Sequence, residues 1–367
     1  MTDRHATAYR PTSVSPPGET LDDLLSDRGI AQSELAKRMD RPLKTINEIV
    51  KGKAAITPET ALQLEKALDV PADFWLARES RFREALARRA EEEALRRSAD
   101  WLDELPCRAM KRLGWLPKTR NVIETVAACL RFFGVASVEA WRETYAKPLA
   151  AFRSTGRANW AVGSVAAWLR QAERQADQIE CQPYRTEAFT NVLHHVRKLT
   201  CEPDPSVFVP SLVESCRASG VAVVFVPELP GCPASGATRW LTAQKALLAL
   251  SLRYRTNDHL WFTFFHEAGH IVLHGKRLVV IEGTSGLNAG LEAEADAFAR
   301  DTLIPPDHAR QLRSLSRSRA AVRAFAATIG VAPGVVVGRM QKEGLLPWSH
   351  LNDLKVRYHW RTDEDRR

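Results

Sequence analysis

The residues His266-Glu267-Ala268-Gly269-His270 decide how this sequence is read. Two imidazoles four positions apart on a helix leave the same face and can grip a single metal ion. Neutral imidazole nitrogen suits Zn2+, and a catalytic zinc keeps three protein ligands and leaves its fourth position to water, whose pKa then falls to about 7. Glu267, between the histidines, stands where a general base would take that proton and return it to a leaving amine. The flanks predict a buried helix. Asn257 can cap its start, Leu260, Trp261, Phe262, Phe264 and Phe265 lead in, Ile271, Val272 and Leu273 continue, and Gly275 can end it. An H-E-x-x-H can also arise by chance on a core helix, so the reading needs a third ligand.

Residues 291–299, LEAEADAFA, read as a helix after a loop that contains Gly283, Gly286 and Gly290. Glu292 and Asp296 are four apart and share a face, so Glu292 can complete a His2Glu site while Asp296 orients a ligand histidine. Glu294, about 160° round the helix from Glu292, reads as solvated. A wholly solvated acidic face is the competing reading. His274 follows His270 by four residues, but with Glu292 as the third ligand it reads as a supporting or structural residue. His194 and His195 are adjacent and cannot face one helical site together.

The stretch HEAGHIVLH, followed by EAEADAFARDTLIP, resembles the ImmA/IrrE family of zinc metallopeptidase domains over roughly residues 191–310. The resemblance implies zinc held by His266, His270 and Glu292, with Glu267 as catalytic base and Asp296 at the family's acidic or amide position. No motif residue departs in a way that predicts loss of the metal.

The 367 residues, 45% hydrophobic, are enough for two or three globular domains. No apolar run approaches the roughly 20 residues that span a bilayer. Met1 to Gly18 also lacks a signal-peptide apolar stretch, so a cytoplasmic protein without a membrane partner is expected. Six scattered cysteines without a C-x-x-C pair read as reduced thiols. The net charge of +8 is compatible with a polyanionic partner.

Residues 1–18, rich in Pro, Ser and Thr, are expected to form a disordered arm. From 19 to 80 five short amphipathic helices are expected. Leu21, Leu24 and Leu25 mark the first, Leu35, Ala36 and Met39 the second, and Ile46, Ile49 and Val50 the third, with Gly52 at its end. Thr57 and Pro58 open the fourth, and Pro71 opens a fifth carrying Phe74 and Trp75. Only about Asp40 to Pro42 separates the second from the third, which suits a helix-turn-helix. Residues 37–53 hold six basic and two acidic side chains, net +4, whereas residues 19–80 hold nine basic and twelve acidic. The positive charge is therefore local, as at a docking edge; a basic face used for protein contacts is the alternative.

The sequence from GIAQSELAKRMDRPLKTINEIV to ALDVPADFW resembles the Xre/Cro-C1 helix-turn-helix family, in particular its HigA/VapI-like antitoxin branch. That resemblance implies that Gln32 and Ser33 meet phosphate, Lys44, Thr45 and Asn47 face bases, and Lys51 and Lys53 grip the backbone of double-stranded operator DNA. It also implies a homodimer on paired half-sites.

Residues 81–190 read as a helical connector without a chemical motif, and 311–367 as a C-terminal helical segment. Before the metal helix, Val221–Val226 reads as a strand, and Pro227–Gly236 as turn-rich. Ala246–Leu252 reads as a candidate edge strand able to hold an extended substrate, although its Ala and Leu would suit a helix. The expected fold is mainly α with a small β-sheet, a five-helix helix-turn-helix bundle (19–80) followed by an α+β zincin-like domain (191–310). The expected function is a DNA-binding transcription regulator, of antitoxin or stress-response type, whose zinc metallopeptidase domain cleaves or senses a regulatory partner, such as a repressor; a toxin is the other expected protein partner. A zinc domain that serves only as sensor or dimerisation platform is the alternative.

Overall fold

Leu21, Leu35, Ile46, Ile49, Leu64 and Trp75 meet in one apolar core, and their helical spacing produces the five helices of the N-terminal part. These are α1 (Pro17–Asp27), α2 (Gln32–Arg38), α3 (Leu43–Val50), α4 (Pro58–Leu68) and α5 (Ala72–Arg97). Between α2 and α3 the chain turns at Asp40, whose φ of 50° is left-handed, and the Arg41 amide donates to the Ala36 carbonyl at 2.9 Å. The Thr57 hydroxyl caps α4 by accepting from the Thr60 amide.

The computed structural model describes residues 14–149, 160–275, 280–281 and 289–360. They separate between Arg97 and Ser98 into two units. The expected arm falls outside the described residues up to position 13, and its last part is helix: α1 starts at Pro17 with Pro17 and Gly18 buried. A Cβ on Gly18 would lie 2.1 Å from the Ile49 carbonyl oxygen, so this glycine lets α1 lie on α3. Residues 81–97, expected in a connector, complete the 26-residue α5. Pairs such as Arg83–Glu79 and Arg88–Glu84 stud that stretch.

The second unit opens with a 3-10 segment (Ala99–Glu104), then α6 (Cys107–Arg112), α7 (Val122–Phe133) and α8 (Val138–Trp141). Trp101, Phe133 and Trp141 pack edge to face at their centre. Next come α9 (Val162–Ala176), α10 (Thr186–Leu199) and α11 (Pro205–Arg217), then the strands β1 (Val221–Phe225), β2 (Gly236–Thr242) and β3 (Lys245–Leu250). The metal-motif helix is α12 (Asn257–Leu273). Strand β4 (Val280–Ile281), α13 (Ala289–Leu303), α14 (Pro306–Leu312), α15 (Arg319–Ile329) and α16 (Pro333–Lys342) follow. The fold is mainly helical with one small sheet.

The sheet order is β1-β3-β2-β4. Strand β3 runs parallel to β1 (Val223↔Leu248) and antiparallel to β2 (Thr238↔Leu248). It is therefore an inner strand, and the expectation of an edge at Ala246–Leu252 is corrected. Five of the six β3 residues are buried, which is why the segment reads as an unbroken apolar run. Strand β2 begins inside the stretch read as turn-rich. Its outer neighbour β4 pairs with Ala237 and Thr238.

One core unites the sheet, α10, α11, α12, α13 and the C-terminal helices. Trp261, Phe264 and Phe265 share it with Leu303, Val336, Val337, Met340 and Tyr358. The chain beyond 310, which its sequence sets apart as a separate segment, thus completes the core around α12. Among the described residues no single helix is long and apolar enough to cross a membrane.

Asn257, expected as a cap, is instead the first residue of α12 after Thr256. Its side-chain oxygen accepts from the Val356 amide at 3.1 Å, and its own backbone amide donates to the Val356 carbonyl. Beside it Lys355 meets Asp258 at 2.7 Å, both buried, and also donates to the Gln341 side chain. The last described segment is therefore tied to the start of the metal-motif helix. Lys355→Ala strips a buried carboxylate of its cation and should lower unfolding free energy by about 3–5 kcal/mol. Urea denaturation checks this, and a loss under about 1 kcal/mol would show that the tie is unimportant.

Candidate metal centre and nucleic-acid interface

Helix α12 carries a sheet on one side and α13 on another, and small residues set how closely both approach. A Cβ on Gly236 of β2 would stand 2.6 Å from the Thr263 methyl and 2.8 Å from the Glu267 Cγ. One on Gly269 would lie 3.1 Å from the Phe298 ring and 3.3 Å from the Ala295 Cα. The second contact matters most, because the close crossing of α12 and α13 brings Glu292 over the two histidines.

His266 and His270 are 2% exposed. Their Nε2 atoms lie 3.1 Å apart. The Glu292 carboxylate approaches with Oε2 3.3 Å from His266 Nε2 and Oε1 3.6 Å from His270 Nε2. These three residues are the one set among the described residues whose candidate ligand atoms gather closely enough for a metal ion. Burial holds the His270 pKa down to about 4, with His266 beside it adding to the effect, so its imidazole is neutral at pH 7.

Both outer nitrogens are engaged. His266 Nδ1 lies 2.9 Å from Asp296 Oδ1, a contact that holds the Asp296 carboxyl below its ordinary pKa. His270 Nδ1 lies 2.8 Å from His274 Nδ1, and His274 Nε2 lies 3.0 Å from Glu294 Oε2. Glu294, expected simply in solvent, is an exposed carboxylate with a buried imidazole as its partner.

Glu267 is fully buried and accepts at Oε2 from the Thr238 hydroxyl at 2.6 Å. Thr238 escapes sequence reasoning. Nothing in its neighbours distinguishes it from a turn residue, and only the pairing of β2 with β3 points it at α12. Thr238→Val keeps the shape and withdraws the donor from a buried carboxylate. It should cost about 1.5–3 kcal/mol in denaturant unfolding, and an unchanged midpoint would mean that the Thr238 hydroxyl contributes nothing to holding Glu267.

On the N-terminal unit, Ile46 and Ile49 face the core. Helical geometry therefore puts Lys44, Asn47, Glu48 and Lys51 on the side of α3 away from the core, with Leu43 at its flank. Lys44, Lys51, Lys53 and Ser33 are exposed, whereas Thr45, Asn47 and Gln32 are half-buried. Thr45 sits at the flank of this face. The Gln32 amide is already hydrogen-bonded to Asp22 at 2.9 Å. Lys44 lies 3.9 Å from Glu48. Leu43, 45% exposed at the first position of α3, is a further surface residue that charge alone does not reveal.

Residues 24–75 match a helix-turn-helix family model. The N-terminal unit is therefore a helix-turn-helix domain. A curated relative, virulence-associated protein A of Dichelobacter nodosus, is 43% identical over 53 residues, 14% of this chain and 52% of that protein. The chain thus spans about half the length of that relative. Among solved structures, a Pseudomonas aeruginosa protein in complex with its 28-bp operator DNA aligns at 29% identity, over 22% of this chain and 90% of that one, with a TM-score of 0.21. A HigA-family addiction-module antidote protein from Coxiella burnetii aligns at 26% identity, over 25% and 94%, with a TM-score of 0.20.

Proposed function

We propose that this chain is a sequence-specific DNA-binding regulator, located in the cytoplasm and dimeric on DNA, whose second unit is a zinc-dependent peptidase acting on a regulatory protein. The observation that carries the metal half of the reading is the spacing of the three donors. Tetrahedral zinc with ligands at its usual distances sets its donors about 3.3–3.6 Å apart. The two Nε2 atoms lie 3.1 Å apart, a little inside that spacing, while one Glu292 oxygen lies 3.3 Å from His266 Nε2 and the other 3.6 Å from His270 Nε2, so small side-chain adjustments bring three donors onto one ion.

Proton placement supports the same reading. The Asp296 carboxylate needs a donor, so the His266 proton sits on Nδ1 and its Nε2 presents a lone pair toward His270. Lone pairs and a carboxylate converging in a buried space repel one another, and a cation between them reverses the sign. When bound, zinc supplies Lewis-acid polarisation of a carbonyl and acidifies water. Glu267, on the same helical turn and carrying no ligand role, is the base that takes the proton from attacking water and delivers it to the leaving nitrogen. Thr238 holds that carboxylate in one orientation.

For DNA, the helix-turn-helix domain supplies the docking element, and the local +4 charge of residues 37–53 supplies attraction to phosphate. Lys44 and Asn47 stand on the exposed face of α3 where bases are read, while Lys51 and Lys53 follow at its end where the backbone passes.

Two experiments test the two halves. Purified protein should carry about one zinc per chain, and His270→Ala should remove it; Glu267→Gln should keep the zinc and slow cleavage of peptide-library members by about 10²–10⁴. Equal zinc in native and His270→Ala protein overturns the ligand assignment, and unchanged cleavage by Glu267→Gln overturns the base. On duplexes selected from random DNA, Lys53→Ala should weaken all sequences alike and lower the salt slope by about one. Asn47→Ala should relax preference at one base pair by about 1–3 kcal/mol. Unaltered binding by both variants would remove this face from the interface.

A further inference from the structure

Glu294, His274 and His270 form a chain of hydrogen bonds that the three-ligand reading does not use. Its links are 3.0 Å, from Glu294 Oε2 to His274 Nε2, and 2.8 Å, from His274 Nδ1 to His270 Nδ1. The His274 ring is nearly as buried as the ligand histidines, at 3% side-chain exposure, while Glu294 is 63% exposed. Both ring nitrogens of His274 are committed, so it has no atom left with which to ligate a metal.

The direction of the protons follows from the two ends. A carboxylate accepts only, so His274 must present N–H at Nε2, and in the neutral ring Nδ1 is then an acceptor. The partner of that acceptor must donate, so His270 carries its proton on Nδ1. Nε2 of His270 is thereby left with its lone pair, aimed at His266 and Glu292. A carboxylate two rings away thus selects the tautomer that a metal ligand requires.

We infer that His274 and Glu294 are positioning residues of the proposed zinc centre, relaying the orientation and electron density of a carboxylate to His270 as Asp296 does directly for His266. This rests on the metal reading above. Each of the three acidic residues of the E-x-E-x-D stretch then has its own role. Glu292 faces the donors, Asp296 orients one histidine in a single step, and Glu294 orients the other in two. The helical offset that sends Glu294 away from Glu292 brings it to His274, because His274, which caps the end of α12, lies one turn beyond His270. Glu294 also lines an open cavity of about 670 Å³ with Leu273 and Phe298, so its side chain can be altered without disturbing the core.

Outer partners of ligand histidines typically contribute 10–100-fold to metal affinity. The test is competition of the purified full-length protein against a chromophoric chelator for zinc, with Co2+ substituted in parallel and its visible d–d absorption recorded. Glu294→Ala should raise the zinc Kd by about 10–100-fold and shift the cobalt spectrum while leaving the thermal midpoint of the metal-free protein unchanged. His274→Leu should raise the zinc Kd and shift the cobalt spectrum likewise, with some loss of stability because His270 Nδ1 loses its acceptor, and His274→Gln, whose side-chain oxygen can accept from His270 Nδ1, should recover part of both losses. Asp296→Ala serves as the direct comparison. If Asp296→Ala weakens zinc and Glu294→Ala binds within twofold of native with an unaltered cobalt spectrum, the relay is overturned and His274 is structural. If the native protein binds no zinc, the failure lies in the metal reading itself.

Discussion

Burying His266, Glu267 and His270 on neighbouring positions of one helix obliges the surrounding elements to supply a polar partner for each of them. An unpartnered buried donor or acceptor costs about 1–3 kcal/mol, and a charged one more. Three neighbours meet that demand. Thr238 reaches Glu267 from the sheet, Asp296 reaches His266 from α13, and His274 reaches His270 from the cap of α12. The fold of the second unit can be understood as the set of elements that brings these partners within hydrogen-bonding distance. Gly236 and Gly269 matter for the same reason, since a Cβ at Gly236 would collide with Thr263 and Glu267 and one at Gly269 would crowd Phe298 and Ala295 of α13.

The two units use electrostatics differently. In the helix-turn-helix domain the cations are solvated, and their effect on a polyanion is long-ranged and weakened by salt. In the second unit His266, Glu267 and His270 are buried and held in fixed pairs, with only the outer carboxylates of Asp296 and Glu294 reaching solvent. That contrast suits the proposed division of labour, in which one unit finds a DNA site and the other holds a reactive centre. The ties from Asn257 and Asp258 to Lys355 and Val356 add rigidity where α12 begins, two turns before the histidines.

Much of this is legible in the sequence wherever chemistry and periodicity coincide. The pattern of Leu35, Ile46 and Ile49 suffices to place α2 and α3, and Thr57 with Pro58 marks the start of α4, because helix ends and apolar faces leave local signals. His266 and His270 can be grouped from sequence because helical spacing translates directly into a shared face, as can Glu292 and Asp296 on the next helix; that the two faces meet is only what the family resemblance implies. Long-range pairing is harder to see. Strand β3 reads as an apolar run whether it lies inside or at an edge, and only its two partners settle the matter. Thr238 has no local signature at all, since its role depends on β2 lying against α12. The angle of Glu294 from Glu292 is correct as geometry but says nothing of a second histidine one turn along the neighbouring helix. The stretch around Lys355 lacks any helix pattern, and its part in clamping α12 follows from tertiary contacts alone.

The proposed chemistry of the second unit depends on His266, His270 and Glu292 sharing one metal ion. Diffraction from crystals of the full chain grown with zinc, collected above and below the zinc absorption edge, tests it most directly. A single strong anomalous peak per chain is expected, about 2.0–2.2 Å from both Nε2 atoms and a Glu292 oxygen. An empty site in zinc-soaked crystals, or a peak held by other residues, would contradict it.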